Sequence, residues 1–300
     1  MISVRNLTKK YEGFEAIDSV DLSVKKGSIY GLLGSNGAGK TTLLKTLVGL
    51  YKPNTGEVLI DEQPVFENIA LKERVIFISD RLYFFSSYTI EDMAKFYKSI
   101  YPKWNEQRYR NLKQVFKIDF NRKINRLSKG MMRQVAIWLA LSAMPEVLIL
   151  DEPLDGLDSV MRQKVKNLLF QDVAERSLTI IISSHNLREL EDLCDHVGIL
   201  HQGKMIVEKD MDDLKKDVHK VQVAFKEEVK PQALEELEVL HKETKGSIQV
   251  YIVRGEREGI MHHFSKLNPA VLDVLPLSLE EVFIYEMGDT GYEIDHIIFQ

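Results

Sequence analysis

The run Gly34-Ser35-Asn36-Gly37-Ala38-Gly39-Lys40-Thr41-Thr42 has the spacing GxxxxGK[ST], and the chemistry that this spacing serves is the holding of phosphate. Its glycines let successive backbone N–H groups turn inward, and a following helix adds its positive N-terminal end, so the loop forms an anion-binding concavity. Ser35, Asn36, Gly37, Ala38, Gly39, Lys40, Thr41 and Thr42 are therefore the expected nucleotide contacts. Lys40 is expected to reach the β- and γ-phosphates and the Thr41 hydroxyl to ligate Mg²⁺. A second group of reactive side chains, Asp151-Glu152, closes the apolar run Val147-Leu148-Ile149-Leu150. A strand-end acid is what such a phosphate loop needs for its metal, so Asp151 is expected to hold Mg²⁺ through water. Glu152 then becomes the candidate general base for the water that attacks the γ-phosphate.

The elements that must position these groups are legible in the hydrophobic pattern. Ser28 to Leu33 reads as a short buried strand before the loop, and Leu43, Leu44, Leu47 and Val48 recur at helical spacing after it. Residues 1 to 30 alternate as half-buried strands around a turn at Gly13, with Ile2 and Val4 on one face and Val20, Leu22 and Val24 on another. Pro53 to Gly56 turns into a strand over Glu57 to Asp61, and Val75 to Ser79 is a further strand leading into Asp80. From Tyr88 to about Lys117 the pattern is helical, with Ile90, Met93, Phe96, Tyr97 and Ile100 on one stripe. An apolar helix carrying Val135 to Leu141 precedes the strand that ends at Asp151, and a strand over Leu178 to Ser183 precedes His185. Alternating strands and helices predict an α/β core with parallel strands whose carboxyl ends gather the ligand-binding residues.

The charged run Glu208 to Asp217 reads as a linking helix. Beyond it, Val221 to Phe225 and Ser247 to Val253 alternate, while Pro231 to Leu240 and Glu256 to Leu267 have helical patterns, which suits a small α+β, ferredoxin-like domain. The expected domains are thus residues 1–210, with a helical subdomain at about 81–145, and residues 211–300.

Composition narrows the classes of function. The chain has 300 residues, 44% of them hydrophobic and 28% charged, which suits one large domain or one large and one small. No apolar run approaches the roughly 18 residues that a spanning helix requires. The start, Met1-Ile2-Ser3-Val4-Arg5, lacks the pattern of a secretory signal, and Cys194 is the single cysteine, so a reducing cytoplasm is expected. Residues 211–300 hold 10 basic and 18 acidic side chains, a balance of −8 against a total of −5. With no strong basic stripe elsewhere, nucleic acid is not expected as a partner. His262 and His263, like the other histidines apart from His185, lack metal-ligand spacing.

Read in order, the phosphate loop, Leu127-Ser128-Lys129-Gly130-Met131, Leu148 to Glu152, Leu154-Asp155-Gly156-Leu157-Asp158 and Ser183-Ser184-His185 resemble the nucleotide-binding subunit of an ATP-binding cassette (ABC) transporter. The likeness covers roughly residues 1–210. It implies an α/β P-loop ATPase core with an antiparallel β subdomain and a helical subdomain, ATP and Mg²⁺ as cofactors, and a second ATPase subunit, identical or not. In such a pair, Ser128 and Gly130 would face the nucleotide of the other subunit, Asp158 would link the two sites, and His185 would contact the γ-phosphate. Tyr11 matches the position where an aromatic ring stacks on adenine. Catalysis would fall to Glu152, His185 and Lys40. A separate membrane-spanning permease is implied as partner, with the ATPase peripheral to the inner face of the cell membrane and Leu82-Tyr83-Phe84-Phe85 as a docking candidate.

Two departures stand out. Asp80 occupies the place of the usual Gln; its carboxylate is able to ligate Mg²⁺, and its added charge near the phosphates would need that metal. Lys129 and Met131 replace the commoner glycine and glutamine, and with Ser278 to Tyr285 they are similar to the ABC-2-type exporter branch. A low-turnover nucleotide sensor, or a soluble ABC protein acting on ribosome or DNA, is the alternative class. The single cassette and the short interval between Lys40 and Ser128 favour the transporter.

Overall fold

The computed structural model describes residues 1–216, 218–225, 234, 236–275, 277–278, 281–282 and 285. It divides into two compact units, residues 1–185 with 193–208, and residues 186–192 with 209–300.

In the first unit, β1 (Ile2–Tyr11) and β2 (Phe14–Val24) form a hairpin closed at Gly13, whose φ of 75° suits a residue without Cβ. After β3 (Ile29–Leu33), buried at every position, the chain enters α1 (Lys40–Leu47). β4 (Thr55–Ile60) and β5 (Gln63–Pro64) complete an antiparallel sheet of order β2-β1-β4-β5. α2 (Ile69–Lys72) leads to β6 (Val75–Ile78).

The region expected to be helical from Tyr88 to Lys117 is two helices, α3 (Ile90–Ile100) and α4 (Glu106–Phe116). The break falls around Pro102, which lacks an amide proton, and each helix has its own start signal. Thr89 and Asp92 make a reciprocal capping box, and the Asn105 side chain accepts from the Arg108 amide. α5 (Lys129–Ser142) is apolar along almost its whole circumference and is buried accordingly.

β7 (Val147–Asp151), α6 (Ser159–Arg176), β8 (Thr179–Ser184), β9 (His196–His201) and β10 (Lys204–Asp210) complete the large sheet, ordered β10-β9-β3-β8-β7-β6. β9, β3, β8, β7 and β6 run parallel, and their register is decisive for the site. Leu33 lies opposite Ser184, Asp151 opposite Ser183, and Ile78 opposite Leu150. The residues after β3, β7, β8 and β6 therefore emerge at one level on one edge, the edge where an open parallel sheet binds ligands.

The second unit holds α7 (Leu187–Glu191), α8 (Met211–Lys216), β11 (Val218–Phe225), β12 (Glu238–Lys245), β13 (Ile248–Arg254), α9 (Arg257–Lys266) and β14 (Pro269–Leu275). Its antiparallel sheet has the order β12-β13-β11-β14, that of a ferredoxin-like split β-α-β arrangement. The linking helix is shorter than its charge run suggested, because β10 extends to Asp210. Of the helix expected over Pro231 to Leu240, residues 231–233 and 235 lie outside the described residues, and Glu238 to Leu240 belong to β12, where Val239 pairs with Val253. Sheet pairing there overrides the helical preference of Glu and Leu. Of Ser278 to Tyr285, residues 279, 280, 283 and 284 also lie outside the described set.

The helical segment is anchored by Trp138 of α5, which is fully buried, stacks on Tyr109 and Phe116 of α4, and donates Nε1–H to the Tyr109 carbonyl at 2.8 Å. Trp138→Ala is expected to lower unfolding free energy by about 3–5 kcal/mol through the cavity it leaves. Urea denaturation of the two proteins measures that difference, and a loss under about 1 kcal/mol would mean the cavity collapses without cost.

Candidate functional site

The loop from Gly34 to Thr42, together with Tyr11, Phe14, Ala16, Asp80, Asp151 and Glu152, encloses a cavity of about 350 Å³. Its phosphate end is built by α1. Gly39 precedes this helix with φ 107°, and a Cβ there would stand 2.5 Å from the Ala16 carbonyl oxygen, so only glycine fits. Lys40, at the first position of the helix, is 6% exposed, and its Nζ donates to the Gly34 carbonyl at 2.5 Å.

The acidic side of the site comes from the sheet. Asp151 is buried at the last position of β7, and each of its oxygens has a partner. Thr41 Oγ1 donates to Oδ2 at 2.7 Å, and Ser183 Oγ donates to Oδ1 at 2.7 Å. A hydroxyl and a carboxylate meeting in this way form the hard-oxygen donor set that suits Mg²⁺, so the residues present fit the ion.

Glu152 follows with φ 47°, a left-handed backbone unusual outside glycine. Its amide donates to Ser183 Oγ at 3.1 Å, and its carboxylate turns back over the phosphate loop. Oε1 stands 3.2 Å from Lys40 Nζ, a Coulombic contact without hydrogen-bond alignment, while Oε2 lies 3.0 Å from His185 Nδ1. Glu152 thus has one oxygen fixed and one buried oxygen that accepts no hydrogen bond among the described residues. A carboxylate held at one oxygen, with hydrogen-bonding capacity unused at the other, suits proton abstraction from a water once Lys40 turns to another partner.

The structure brings together Lys40, Thr41, Asp151, Glu152 and His185. Tyr11, 45% exposed, lines the cavity beside the same loop, and its ring meets Tyr51 edge-on. Ser128, Gly130 and Asp158 do not line this cavity. Ser128 caps α5 by accepting from the Met131 amide, and Asp158 caps α6 by accepting from the Met161 amide. Gly130 is packed so closely that a Cβ would fall 2.4 Å from the Gly156 carbonyl oxygen.

Asp80 lines the cavity with its side chain half exposed, but Oδ1 is 2.9 Å from an Arg133 guanidinium nitrogen. The negative charge that sequence reasoning left for a metal to balance has a protein counter-ion. Arg133 was not singled out in the sequence; its signal is a lone cation in the apolar run of α5. Ser183 and Asp155 were also passed over as individual groups. Asp155 offers an oxygen within 4.8 Å of ligand atoms of Glu152 and His185, and the motif spacing alone does not fix that approach. Phe14 at the cavity mouth had only its hairpin position as a signal. Cys194 is buried, and burial pushes its thiol well up, so it is not a thiolate nucleophile.

The chain is similar to known proteins in both sequence and fold. The ABC transporter family pattern matches residues 17–155. The chain is 32% identical over 288 residues to the ABC transporter ATP-binding protein YtrB of Bacillus subtilis (strain 168), covering 96% of this chain and 98% of that protein. It is 36% identical over 219 residues to the bacitracin transport ATP-binding protein BcrA of Bacillus licheniformis, covering 72% of each. Among solved structures, an ATP-binding subunit of an ABC transporter superposes with TM-score 0.68 at 26% identity, over 72% of this chain and 92% of that one. A dimeric, post-hydrolysis ATP-binding cassette bound to ADP and Pi has the same fold, with TM-score 0.65 at 24% identity, over 70% of this chain and 99% of that one.

Tyr11→Ala is expected to weaken ATP binding by about tenfold, the effect of losing one base–aromatic stack, while Tyr11→Phe stays within about twofold. Titration with a fluorescent ATP analogue measures both, and equal affinities for all three proteins would remove Tyr11 from the base-binding surface.

Proposed function

Because this chain belongs to the ATP-binding proteins of ABC transporters, and so is an ATPase subunit of a transporter, we propose that it powers an exporter by ATP-driven closure of two cassettes. The observation that carries this reading is the division of the motifs. Lys40, Thr41, Asp151 and Glu152 line one cavity, with His185 against Glu152, whereas Ser128 and Gly130 stand outside it at the start of a fourteen-residue helix. A signature that does not serve its own cavity is available to the cavity of a second copy, where the N-terminus of α5 meets phosphate.

In this reading the nucleotide enters with its base against Tyr11 and its phosphates on the amides of the loop and on Lys40. Thr41 and Asp151 would hold Mg²⁺, which would supply neutralisation of the phosphate charge when bound. The incoming phosphates compete with Glu152 for the Lys40 ammonium, and the carboxylate is released to face the attacking water. Glu152 accepts the proton of that water; the His185 backbone amide, 3.3 Å from Oε2, keeps the carboxylate aimed, leaving the imidazole to donate toward the γ-phosphate. Closure is a population shift, driven by the extra contacts ATP makes when Ser128 of the second copy completes its site. Loss of the γ-phosphate removes those contacts and the pair reopens.

The membrane partner is a separate permease, which would hold the ATPase at the inner face of the cell membrane. No helix among the described residues is long and apolar enough to cross a bilayer. A docking surface is offered by the segment after Asp80 with the start of the helical region: Tyr83 is 88% exposed, and Phe85, Phe96 and Ile100 are exposed as well. Phe85 packs edge-on against Phe96, so the rings form one patch, and aromatic patches of this kind anchor protein partners. Two of the five residues of the expected α3 stripe, Ile90 and Met93, are buried, while Phe96 and Ile100 are exposed. Similarity to a bacitracin transport protein supports an amphipathic peptide or lipid-like cargo.

Glu152→Gln is expected to retain ATP binding while trapping the closed pair, visible as an ATP-dependent shift to dimer in gel filtration. A monomeric variant with normal turnover would remove Glu152 from the role of base. Ser128→Arg is expected to abolish steady-state hydrolysis while leaving ATP binding by the single chain intact, and unchanged turnover would contradict the shared site.

A further inference from the structure

Arg133 lies in the second turn of α5, downstream of Ser128, and its side chain is only 9% exposed. One guanidinium nitrogen donates to the carbonyl of Glu152, and the other donates to Asp80 twice, to its carbonyl at 3.0 Å and to Oδ1 at 2.9 Å. A single planar fork thus joins three places: the helix that starts at Ser128, the residue following β6, and the backbone of the candidate base. The Glu152 contact is significant because that residue has φ 47°, a conformation that persists only where its surroundings hold it. The Glu152 amide is held by Ser183 and the carbonyl by Arg133. A second, independent contact ties the same helix to the same loop, since Gly130 abuts the Gly156 carbonyl with no room for a Cβ.

We propose that Arg133 is a positioning residue that makes the aim of the Glu152 carboxylate depend on what the N-terminus of α5 meets at the second nucleotide. Any shift of α5 as Ser128 engages that nucleotide moves the guanidinium, and with it the carbonyl that fixes the left-handed turn at Glu152. Asp80 anchors the other arm of the fork and balances its charge, so the acidic residue in the usual glutamine position is the counter-ion of the coupling arginine. The inference rests on the two-cassette reading above. A lysine is not equivalent, because a point charge on a flexible stem cannot hold both acceptors in one plane.

The test compares the full chain with Arg133→Lys and Arg133→Gln, measuring kcat, KM and the Hill coefficient for ATP, together with equilibrium ATP binding. Both variants are expected to lose kcat by about ten- to a hundredfold with ATP affinity within about twofold, the pattern of a misaimed catalytic group. Their Hill coefficient is expected to fall toward about 1, because the link between sites is cut. Arg133→Lys keeps the charge and the buried stem, so it reports even if Arg133→Gln does not fold. Turnover within about twofold of the parent in Arg133→Lys, or parallel loss of ATP affinity and kcat, would overturn the proposal. Failure of the two-cassette reading has a different signature: Glu152→Gln would stay monomeric with ATP, and the parent chain would hydrolyse with a Hill coefficient of about 1 before any change at Arg133.

Discussion

A buried ammonium and a largely enclosed carboxylate, Lys40 and Glu152, stand 3.2 Å apart at the end of the central strands, and the rest of the site is arranged around them. Both have lost most of their contact with water, so their polar neighbours take its place. Lys40 has the Gly34 carbonyl, and Glu152 has His185 and a backbone held at both ends. On the proposed function, a polyanion entering the loop would offer Lys40 a stronger partner than Glu152, so binding would arm the base. The resting protein would thereby keep Glu152 occupied until a nucleotide arrives.

The fold enforces this meeting through strand register. The phosphate loop follows β3, Asp151 and Glu152 end β7, His185 follows β8, and Asp80 follows β6; the four strands are hydrogen-bonded in the order β3-β8-β7-β6. Shifting any strand by one residue would turn its side chains to the opposite face, so the apolar packing of the sheet also fixes the catalytic geometry. Helix α5 adds the element that is not part of the sheet. Its apolar face packs through Trp138, while its first turns carry Ser128, Gly130 and Arg133.

Motifs whose chemistry depends on local spacing were readable from the sequence. The loop from Gly34 to Thr42 and the pair Asp151-Glu152 need only a strand and a turn, and hydrophobic periodicity marks those elements well. The central strands are continuous runs of Ile, Leu and Val, and they emerge where the runs lie. Contacts between distant segments were not readable. Arg133 to Asp80 spans 53 positions and Arg133 to Glu152 spans 19, and no periodic signal connects them. Likewise, β12 takes in Glu238 to Leu240 because β13 offers it a partner, against their local preference for helix. β10 runs into the charged segment from Glu208, whose helical pattern masks the end of the strand in the sequence.

The account stands or falls on where the γ-phosphate goes. A structure of the full-length Glu152→Gln chain with Mg·ATP tests it most directly. The account predicts two copies facing each other, each γ-phosphate contacted by Lys40 of one and Ser128 of the other, with the side chain at position 152 withdrawn from Lys40. Nucleotide bound by a lone chain, with that side chain still against Lys40, would contradict it.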